Sequence, residues 1–419
     1  MRFLIAAPSS GSGKTTITLG LLRAFAQSGL TISGAKSGPD YIDPRFHEAA
    51  CGQPCFNLDA WAMTPERITS IAATGHLIVE GAMGLFDGAP PVGKGACADL
   101  AHCLDLPVVL VVDAARMAQS VAPLVQGFAN FDPTVKIAGV ILNNVGSPRH
   151  EVMLRDALTR INMPVFGAVP RMTALGTPSR HLGLVQAQER PDLDAFLDKA
   201  AEITRQNVDL GALSALGSDI SAPSKTAKPS APAQRIAVAQ DAAFAFAYPH
   251  LLRDWRSAGA EISFFSPLAN EAAPNCDLIY LPGGYPELYA GRLADNTDFM
   301  QSLRNASEDT DIYGECGGYM TLGEALVDAS GTAHKMAGVL PLTTSFATRK
   351  LHLGYRNISA TRGPFKGQWK AHEFHYATTL HANGTPLFEA TDATDTALPA
   401  MGLCQERVAG SFAHIIDRA

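Results

Sequence analysis

Two short stretches hold residue types at spacings that do chemistry. The first is "APSSGSGKTT", residues 7–16. Its Ser10, Gly11, Ser12 and Gly13 offer closely spaced backbone N–H groups, which at the start of a helix surround phosphate oxygens at the positive end of the helix dipole. Lys14 neutralises the β and γ phosphates, the Thr15 hydroxyl ligates Mg²⁺, and Thr16 continues the cradle, so the chemistry is binding of Mg·ATP. The loop departs from the usual pattern at Pro8, where glycine is the rule. The second stretch is "YGECGGYM", residues 313–320, in which Gly314, Cys316 and Gly318 form G-x-C-x-G. That is a nucleophile elbow, a sharp strand-to-helix turn that exposes one side chain and needs small neighbours. A helix N-terminus behind the thiol favours thiolate, the nucleophilic form.

Each stretch needs partners. For the phosphate loop, Mg²⁺ requires further oxygen donors at the carboxyl ends of neighbouring strands. Asp40 in "KSGPDYIDP" and Glu80 in "LIVEGAMGLFDG" stand there, with Asp43 and Asp87 following. Each also has an ordinary reading as a helix cap or loop carboxylate. Lys36, at the end of a second strand, is placed to reach transferred phosphate, and Asn143 in "ILNNV" to pair with adenine. For the thiol, His414 in "AGSFAHII" is the base. Gly284 in "LPGGYPE" and Gly317 supply backbone N–H groups for an oxyanion. His372, Glu373 and His375 in "AHEFHYA" sit three rather than four positions apart, which misses the zinc-protease spacing H-E-x-x-H. A positioning or interface role fits that cluster better. Cys51 and Cys55 have no second pair at zinc spacing and read as buried thiols.

The elements that must hold these groups alternate. "RFLIAA" is a continuous apolar strand, and Ile17, Leu21, Leu22 and Phe25 recur at helical spacing until Gly29. "HLIVEGA", "LPVVLVVDA" and "KIAGVILNNV" are apolar on both faces and separated by helix-length segments, the mark of a mostly parallel, doubly covered sheet. "RIAVAQD", "EISFFSP", "DLIYLPGG" and "DIYGECGG" repeat the pattern later in the chain. Between the halves lies "SDISAPSKTAKPSAPAQ", residues 218–234, with linker composition. The expectation is two α/β domains, 1–217 and 235–419, joined by 218–234.

Composition excludes several classes. The chain has 419 residues, 47% hydrophobic and 17% charged, which supplies two sizeable cores and excludes disorder. The net charge of -7 with no basic run argues against nucleic-acid binding. The seven cysteines are odd in number and do not form a disulfide framework. No apolar stretch is long enough to span a membrane. The apolar run of "MRFLIAAPSS" is too short for a signal peptide, so a cytoplasmic protein is expected.

Taken in order, "PSSGSGKTT", "KSGPDYIDP", "VEGAMGLFDG", "LPGGYPE", "YGECGGYM", "LGYR", "HEFHY" and "GSFAH" resemble the cobyrinic acid a,c-diamide synthase family, including its hydrogenobyrinic acid branch, over nearly the whole length. That resemblance implies a P-loop ligase domain similar to dethiobiotin synthetase, fused to a class I-type glutamine amidotransferase domain. It implies that glutamine, ATP and Mg²⁺ are used to amidate the a and c acetate side chains of a corrinoid in cobalamin biosynthesis, through an acyl phosphate. By position it puts Lys14, Thr15, Asp40 and Glu80 on nucleotide, metal or phosphate contacts, and Tyr41, Ile42 and Asp87 on corrinoid handling. Arg45, Arg116 and Arg171 are further candidates for the substrate's carboxylates. A homodimer is implied. One departure from ordinary class I enzymes stands out: His414 is followed by Ile415 and Ile416 rather than His-x-Glu, so a Cys–His dyad with modest basal glutaminase is expected. Three alternatives stay open: another tetrapyrrole amidase, such as one acting on nickel sirohydrochlorin; an ATPase switch of the partition or septum-site type; and a non-catalytic tetrapyrrole carrier.

Overall fold

A computed structural model describes residues 1–73, 75–171, 186–218, 220 and 230–419. The chain divides into two compact units, Met1–Thr226 and Ala227–Ala419. Of the expected linker, residues 219 and 221–229 lie outside the described part.

In the first unit seven strands pair in parallel: β1 (Arg2–Ala6), β2 (Ile32–Ser37), β3 (Phe56–Leu58), β4 (His76–Glu80), β5 (Val108–Asp113), β6 (Ile137–Val145) and β7 (Val165–Pro170), in the order β3-β2-β4-β1-β5-β6-β7. Phe3, Leu4 and Ile5 of β1 and Val108 through Val112 of β5 are fully buried, as strands covered on both faces must be. Helix α1 (Lys14–Gln27) buries Ile17, Leu21, Leu22 and Phe25, and Gly29 follows it at φ 86, a left-handed turn open to glycine without strain. Helix α2 (Asp43–Cys51) starts after the Asp40 turn. The register pairs Lys36 with Glu80 and Ile5 with Glu80, so the carboxyl ends of β1, β2 and β4 meet at one point.

The second unit departs from a simple repeat of the first. Strands β8 (Arg235–Ala239), β9 (Glu261–Phe265), β10 (Leu278–Leu281) and β11 (Asp311–Glu315) form the expected parallel core. Strands β12 (Ala325–Val327), β13 (Ala333–Lys335), β14 (Leu342–Ser345) and β17 (Thr378–Ala382) make a separate small sheet. Strands β15 (His352–Ala360), β16 (Gly367–His375), β18 (Thr385–Thr391), β19 (Ala397–Gln405), β20 (Val408–Ser411) and β21 (Ala413–Arg418) extend the core into a mixed ten-stranded sheet, ordered β21-β16-β15-β18-β19-β20-β11-β10-β8-β9. The extension is antiparallel as far as β20, which joins β11 in parallel. It brings His414, on the last strand, opposite His372 on β16.

Candidate active sites

The phosphate loop spans the end of β1 and the start of α1. Gly11 and Gly13 take φ 80 and φ 92, conformations a side chain would strain. A Cβ on Gly13 would also collide with the Asn143 amide, so the loop passes hard against that side chain. Asn143 Nδ2 donates to the Ser12 carbonyl at 3.0 Å, and Ser12 Oγ donates to the Ser9 carbonyl at 3.0 Å. Asn143 thus helps hold the loop, a task its adenine reading did not include. It also lines a cavity of about 200 Å³ with Gly11, Gly13, Thr16, Asn144 and Pro170, beside the phosphate loop. The segment after β4 packs over Pro8: Leu85 N donates to the Ala7 carbonyl at 2.9 Å, and Lys14 Nζ donates to the Met83 carbonyl at 2.5 Å. Burial, and then the neighbouring Lys36 charge, lower the Lys14 pKa.

Behind the loop is a buried ionic cluster. Glu80 is fully buried; its Oε1 accepts from Thr15 Oγ1 at 2.6 Å and from Lys36 Nζ at 2.9 Å, and its Oε2 pairs with His47 Nε2 at 2.5 Å. Lys36 Nζ also meets Asp43 Oδ2 at 2.6 Å and lies 3.9 Å from Asp40 Oδ2. Burial works to strip the Lys36 proton, yet Asp43, Glu80 and Asp40 outweigh it and hold the pKa well above the usual value. Burial likewise disfavours the Glu80 anion, and Lys36 and His47 reverse that, keeping it far below the ordinary carboxylate range. Asp43 is pushed up to about 7 by burial and by Asp40.

His47, whose Nδ1 lies 3.3 Å from Cys55 Sγ, had no signal in sequence beyond the need of a buried Glu80 for partners. Asp40 Oδ1 caps α2 through the N–H groups of Ile42 and Asp43 at 2.8 and 3.2 Å, and Asp87 Oδ2 accepts from Gly84 N at 3.0 Å. Both acids therefore shape loops. Tyr41 and Ile42 are buried at the turn between Asp40 and α2. Arg45 pairs with Glu48, while Arg116 and Arg171 are exposed. The oxygens of Thr15, Asp40 and Glu80 are a donor set that suits a hard cation, and Glu80 Oε1 also accepts the Thr15 hydroxyl.

In the second unit Cys316 sits between β11 and the helix Gly317–Leu322 at φ 46 and ψ -101, the strained turn of a nucleophile elbow. Its glycines are required. A Cβ on Gly318 would enter the Leu281 carbonyl, and one on Gly314 would come within 2.6 Å of the Gly318 backbone. Gly283 separates the two reacting groups: a Cβ there would lie 3.0 Å from His414 Nε2 and 3.3 Å from Cys316 Cβ. A Cβ on Gly317 would lie 3.0 Å from Gly284 N, so the two expected oxyanion donors are close neighbours.

Burial pushes the Cys316 pKa far up, and the Glu287, Glu315 and Glu373 carboxylates add to it, a direction opposite to the thiolate expected at a helix N-terminus. Burial also lowers His414 to about 3, with His372 and His375 adding, so the imidazole rests neutral. The dyad has a neighbour that the pattern around His414 did not disclose. Glu315, inside the elbow motif, has Oε2 3.7 Å from His414 Nδ1, beyond hydrogen-bond reach. It accepts from Tyr280 OH at 2.8 Å and Ile415 N at 3.1 Å, and burial raises its pKa to about 8.

The "HEFHY" cluster lies on β16 beside this site. Glu373 receives Arg356 Nη2 at 2.7 Å and His375 Nε2 at 2.9 Å, and His375 stacks on Phe412 at 3.8 Å. Burial disfavours the Glu373 anion, but His375 and Arg356 hold it down at about 2. With His352 it is the one trio of metal-capable side chains among the described residues. Both Glu373 oxygens are engaged by Arg356 and His375, and His352 stacks on His375 at 4.6 Å; Cys51 and Cys55 belong to no such group among the described residues.

Two family models match the chain: a CobQ/CobB/MinD/ParA nucleotide binding domain over residues 3–185, and a CobB/CobQ-like glutamine amidotransferase domain over residues 235–418. A hydrogenobyrinate a,c-diamide synthase of Brucella anthropi is 54% identical, covering 99% of this chain and 98% of the relative. One from Rhizobium meliloti is 53% identical over the same shares, and one from Rhodobacter capsulatus is 49% identical over 98% of each. A solved glutamine amidotransferase, 16% identical and covering 38% of this chain and 80% of its own, aligns with a TM-score of 0.28, too low to weigh on the reading. With a thiol elbow in one unit, a phosphate loop in the other and relatives of this closeness along the full length, the chain belongs to the hydrogenobyrinate a,c-diamide synthase family.

Proposed function

We propose that this enzyme uses ATP and glutamine to convert the a and c acetate carboxylates of hydrogenobyrinic acid into amides. The observation that carries the reading is one chain holding both a phosphate loop backed by the Glu80–Lys36 pair and a strained Cys316 elbow beside His414. The names of the near-full-length relatives favour the cobalt-free substrate over cobyrinic acid and over nickel sirohydrochlorin. Ligase chemistry is assigned to 1–217 and amidotransferase chemistry to 235–419, with 218–234 as linker. A cytoplasmic homodimer that contacts neither nucleic acid nor membrane completes the proposal. Among the described residues no helix is long and apolar enough to cross a membrane.

At the ligase site a substrate carboxylate oxygen attacks the γ-phosphorus, the bond to the β-phosphate oxygen breaks, and ADP leaves an acyl phosphate behind. Ammonia then attacks the acyl carbon, phosphate departs with the C–O electrons, and the nitrogen loses a proton. Ser10 through Thr16 cradle the phosphates, with Lys14 held over the loop by the Met83 carbonyl. A bound Mg²⁺ would neutralise phosphate charge, held by Thr15, Asp40 and Glu80. Lys36 is held charged at the same point to meet the transferred group. Asn143 borders the base, and Tyr41, Ile42 and Asp87 shape the substrate side.

At the thiol site the Cys316 proton passes to His414 as sulfur attacks the glutamine side-chain carbonyl. The N–H groups of Gly284 and Gly317 receive the oxyanion. His414 returns the proton to the leaving nitrogen, ammonia departs, and water hydrolyses the thioester to glutamate. The raised thiol and the lowered imidazole both oppose this proton transfer, which supports a modest basal glutaminase.

The test is an anaerobic assay with Mg·ATP, glutamine and either hydrogenobyrinic or cobyrinic acid, read by mass spectrometry. Two successive OH-to-NH₂ exchanges on the cobalt-free acid are expected. Exchange on the cobalt form alone, or on neither, would overturn the substrate assignment.

A further inference from the structure

We propose that Glu315 is the positioning residue of the thiol site, anchoring the backbone beside His414 and balancing the charge of the ring as the imidazolium forms. The inference rests on the reading of Cys316 and His414 as the glutamine-hydrolysing pair. In class I enzymes with a complete triad, that carboxylate stands two positions after the histidine; here those positions are Ile415 and Ile416, whose side chains cannot do it. The chain supplies a carboxylate from the other side of the site, on the residue that precedes the nucleophile.

Backbone register explains how it gets there. Glu315 is the last residue of β11, and parallel pairing with β20 sets it opposite Ser411, three residues before His414. The side chain is 1% exposed and fixed at two points. Oε1 accepts the N–H of Ile415, the residue next to His414, so the backbone carrying the imidazole is docked onto this carboxyl group. Oε2 accepts the Tyr280 hydroxyl and faces Nδ1 of the ring at 3.7 Å. A Cβ on Gly283 would meet both the ring, at Cε1 and 3.0 Å from Nε2, and the nucleophile, at 3.3 Å from Cys316 Cβ, so ring and thiol residue border the same glycine. With the acid facing Nδ1, Nε2 is left for the thiol proton, the division of labour of a Cys–His–acid triad.

The electrostatics give the pair a reason to exist. An imidazolium in a fully buried site is costly unless an anion lies beside it. When the S–H bond of Cys316 breaks and the Nε2–H bond forms, ionised Glu315 becomes the nearest partner for the new positive charge. The groups facing Glu315 are Tyr280 on β10, Tyr313 on its own strand, Cys316 beside it and His414 on β21. Both tyrosines have pKa values raised well above the ordinary range and stay neutral, while the Glu287 and Glu373 carboxylates also bear on Cys316 and Glu373 also raises the His414 pKa. Glu315 itself is held up at about 8, so its ionisation falls where activity is measured.

The experiment uses full-length protein with Mg·ATP and hydrogenobyrinic acid, comparing wild type, Glu315→Gln, Glu315→Asp and Cys316→Ser. Glutamate release and ammonia-driven amidation are followed from neutral into mildly alkaline pH. Glu315→Gln is expected to lower kcat for glutamate release on the order of 100-fold, the scale of a misdirected acid–base residue, with KM for glutamine nearly unchanged. Ammonia-driven amidation is spared. Wild-type glutamate release rises with a limb near pH 8 that Glu315→Gln lacks and Glu315→Asp retains in shifted form. Wild-type kinetics with the limb intact in Glu315→Gln would overturn the proposal. If Glu315→Gln loses ammonia-driven amidation too, its fold is damaged and Glu315→Asp decides: a displaced limb supports the role, and an unmoved one overturns it. Undiminished glutamate release by Cys316→Ser would instead overturn the reading of the thiol site on which the proposal stands.

Discussion

At Glu80 each carboxylate oxygen is engaged by a neighbour, and what those neighbours would lose sets the value of the residue. Removing it in Glu80→Ala leaves the Lys36 ammonium and the His47 ring facing a buried void. Breaking a buried pair by deleting one partner typically costs about 3–5 kcal/mol. We expect thermal melting to show a loss of that order, with amidation falling whether ammonia or glutamine is the nitrogen source. Unchanged melting would mean that the cluster is more hydrated than its burial indicates. The types of these residues were legible in the sequence: Lys14, Thr15, Lys36 and Glu80 stand where the motif placed them. The pairwise roles were not. That Glu80 gathers Thr15, Lys36 and His47 on one carboxylate depends on contacts made only in the fold, and His47 belongs to no motif. The upward shift of the thiol pKa was likewise beyond reach, because it is driven by desolvation, a property of the folded surroundings rather than of the elbow pattern.

At the scale of elements, the turns are the sensitive parts. Gly318→Ala would drive a methyl group into the Leu281 carbonyl and force the elbow to shift. Overpacking of this kind costs about 1–3 kcal/mol, but the larger effect is on Cys316, displaced from its partners. Glutamate release should collapse while ATP binding, measured by calorimetry, stays intact; full glutaminase activity in Gly318→Ala would contradict the elbow geometry. Gly13→Ala, at φ 92 and against Asn143, should do the reverse. The parallel strands were readable because they are apolar on both faces. The antiparallel extension was not, and β16 shows why: its buried positions are Trp369, Ala371, Glu373 and His375. Two of the four inward residues are polar, so the period of two is present in the fold and hidden in the hydropathy.

For the whole molecule, the buried titratable groups set a pH response. His414 falls from an ordinary 6.5 to about 3, a depressed pKa, so its contribution to stability is full above pH 6.5 and is lost as pH falls toward 3. Glu315 has the opposite sign. Its pKa rises from 4.5 to about 8, so its contribution is full below pH 4.5 and is lost as pH climbs through 8. Replacing His414 by Gln should flatten the acid side of the stability profile of the intact enzyme. Replacing Glu315 by Gln should flatten the alkaline side. Chemical denaturation across pH reads both, and parallel wild-type and variant profiles would contradict the buried neutral pair.

On the proposed reading one chain makes ammonia at Cys316 and uses it on a substrate acyl phosphate formed at the phosphate loop. Amidation of hydrogenobyrinic acid by Cys316→Ser, with Mg·ATP and either glutamine or ammonia, followed by mass spectrometry, tests both sites at once. No diamide is expected from glutamine, and a wild-type yield of diamide from ammonia. Diamide formed from glutamine at the wild-type rate would overturn the reading.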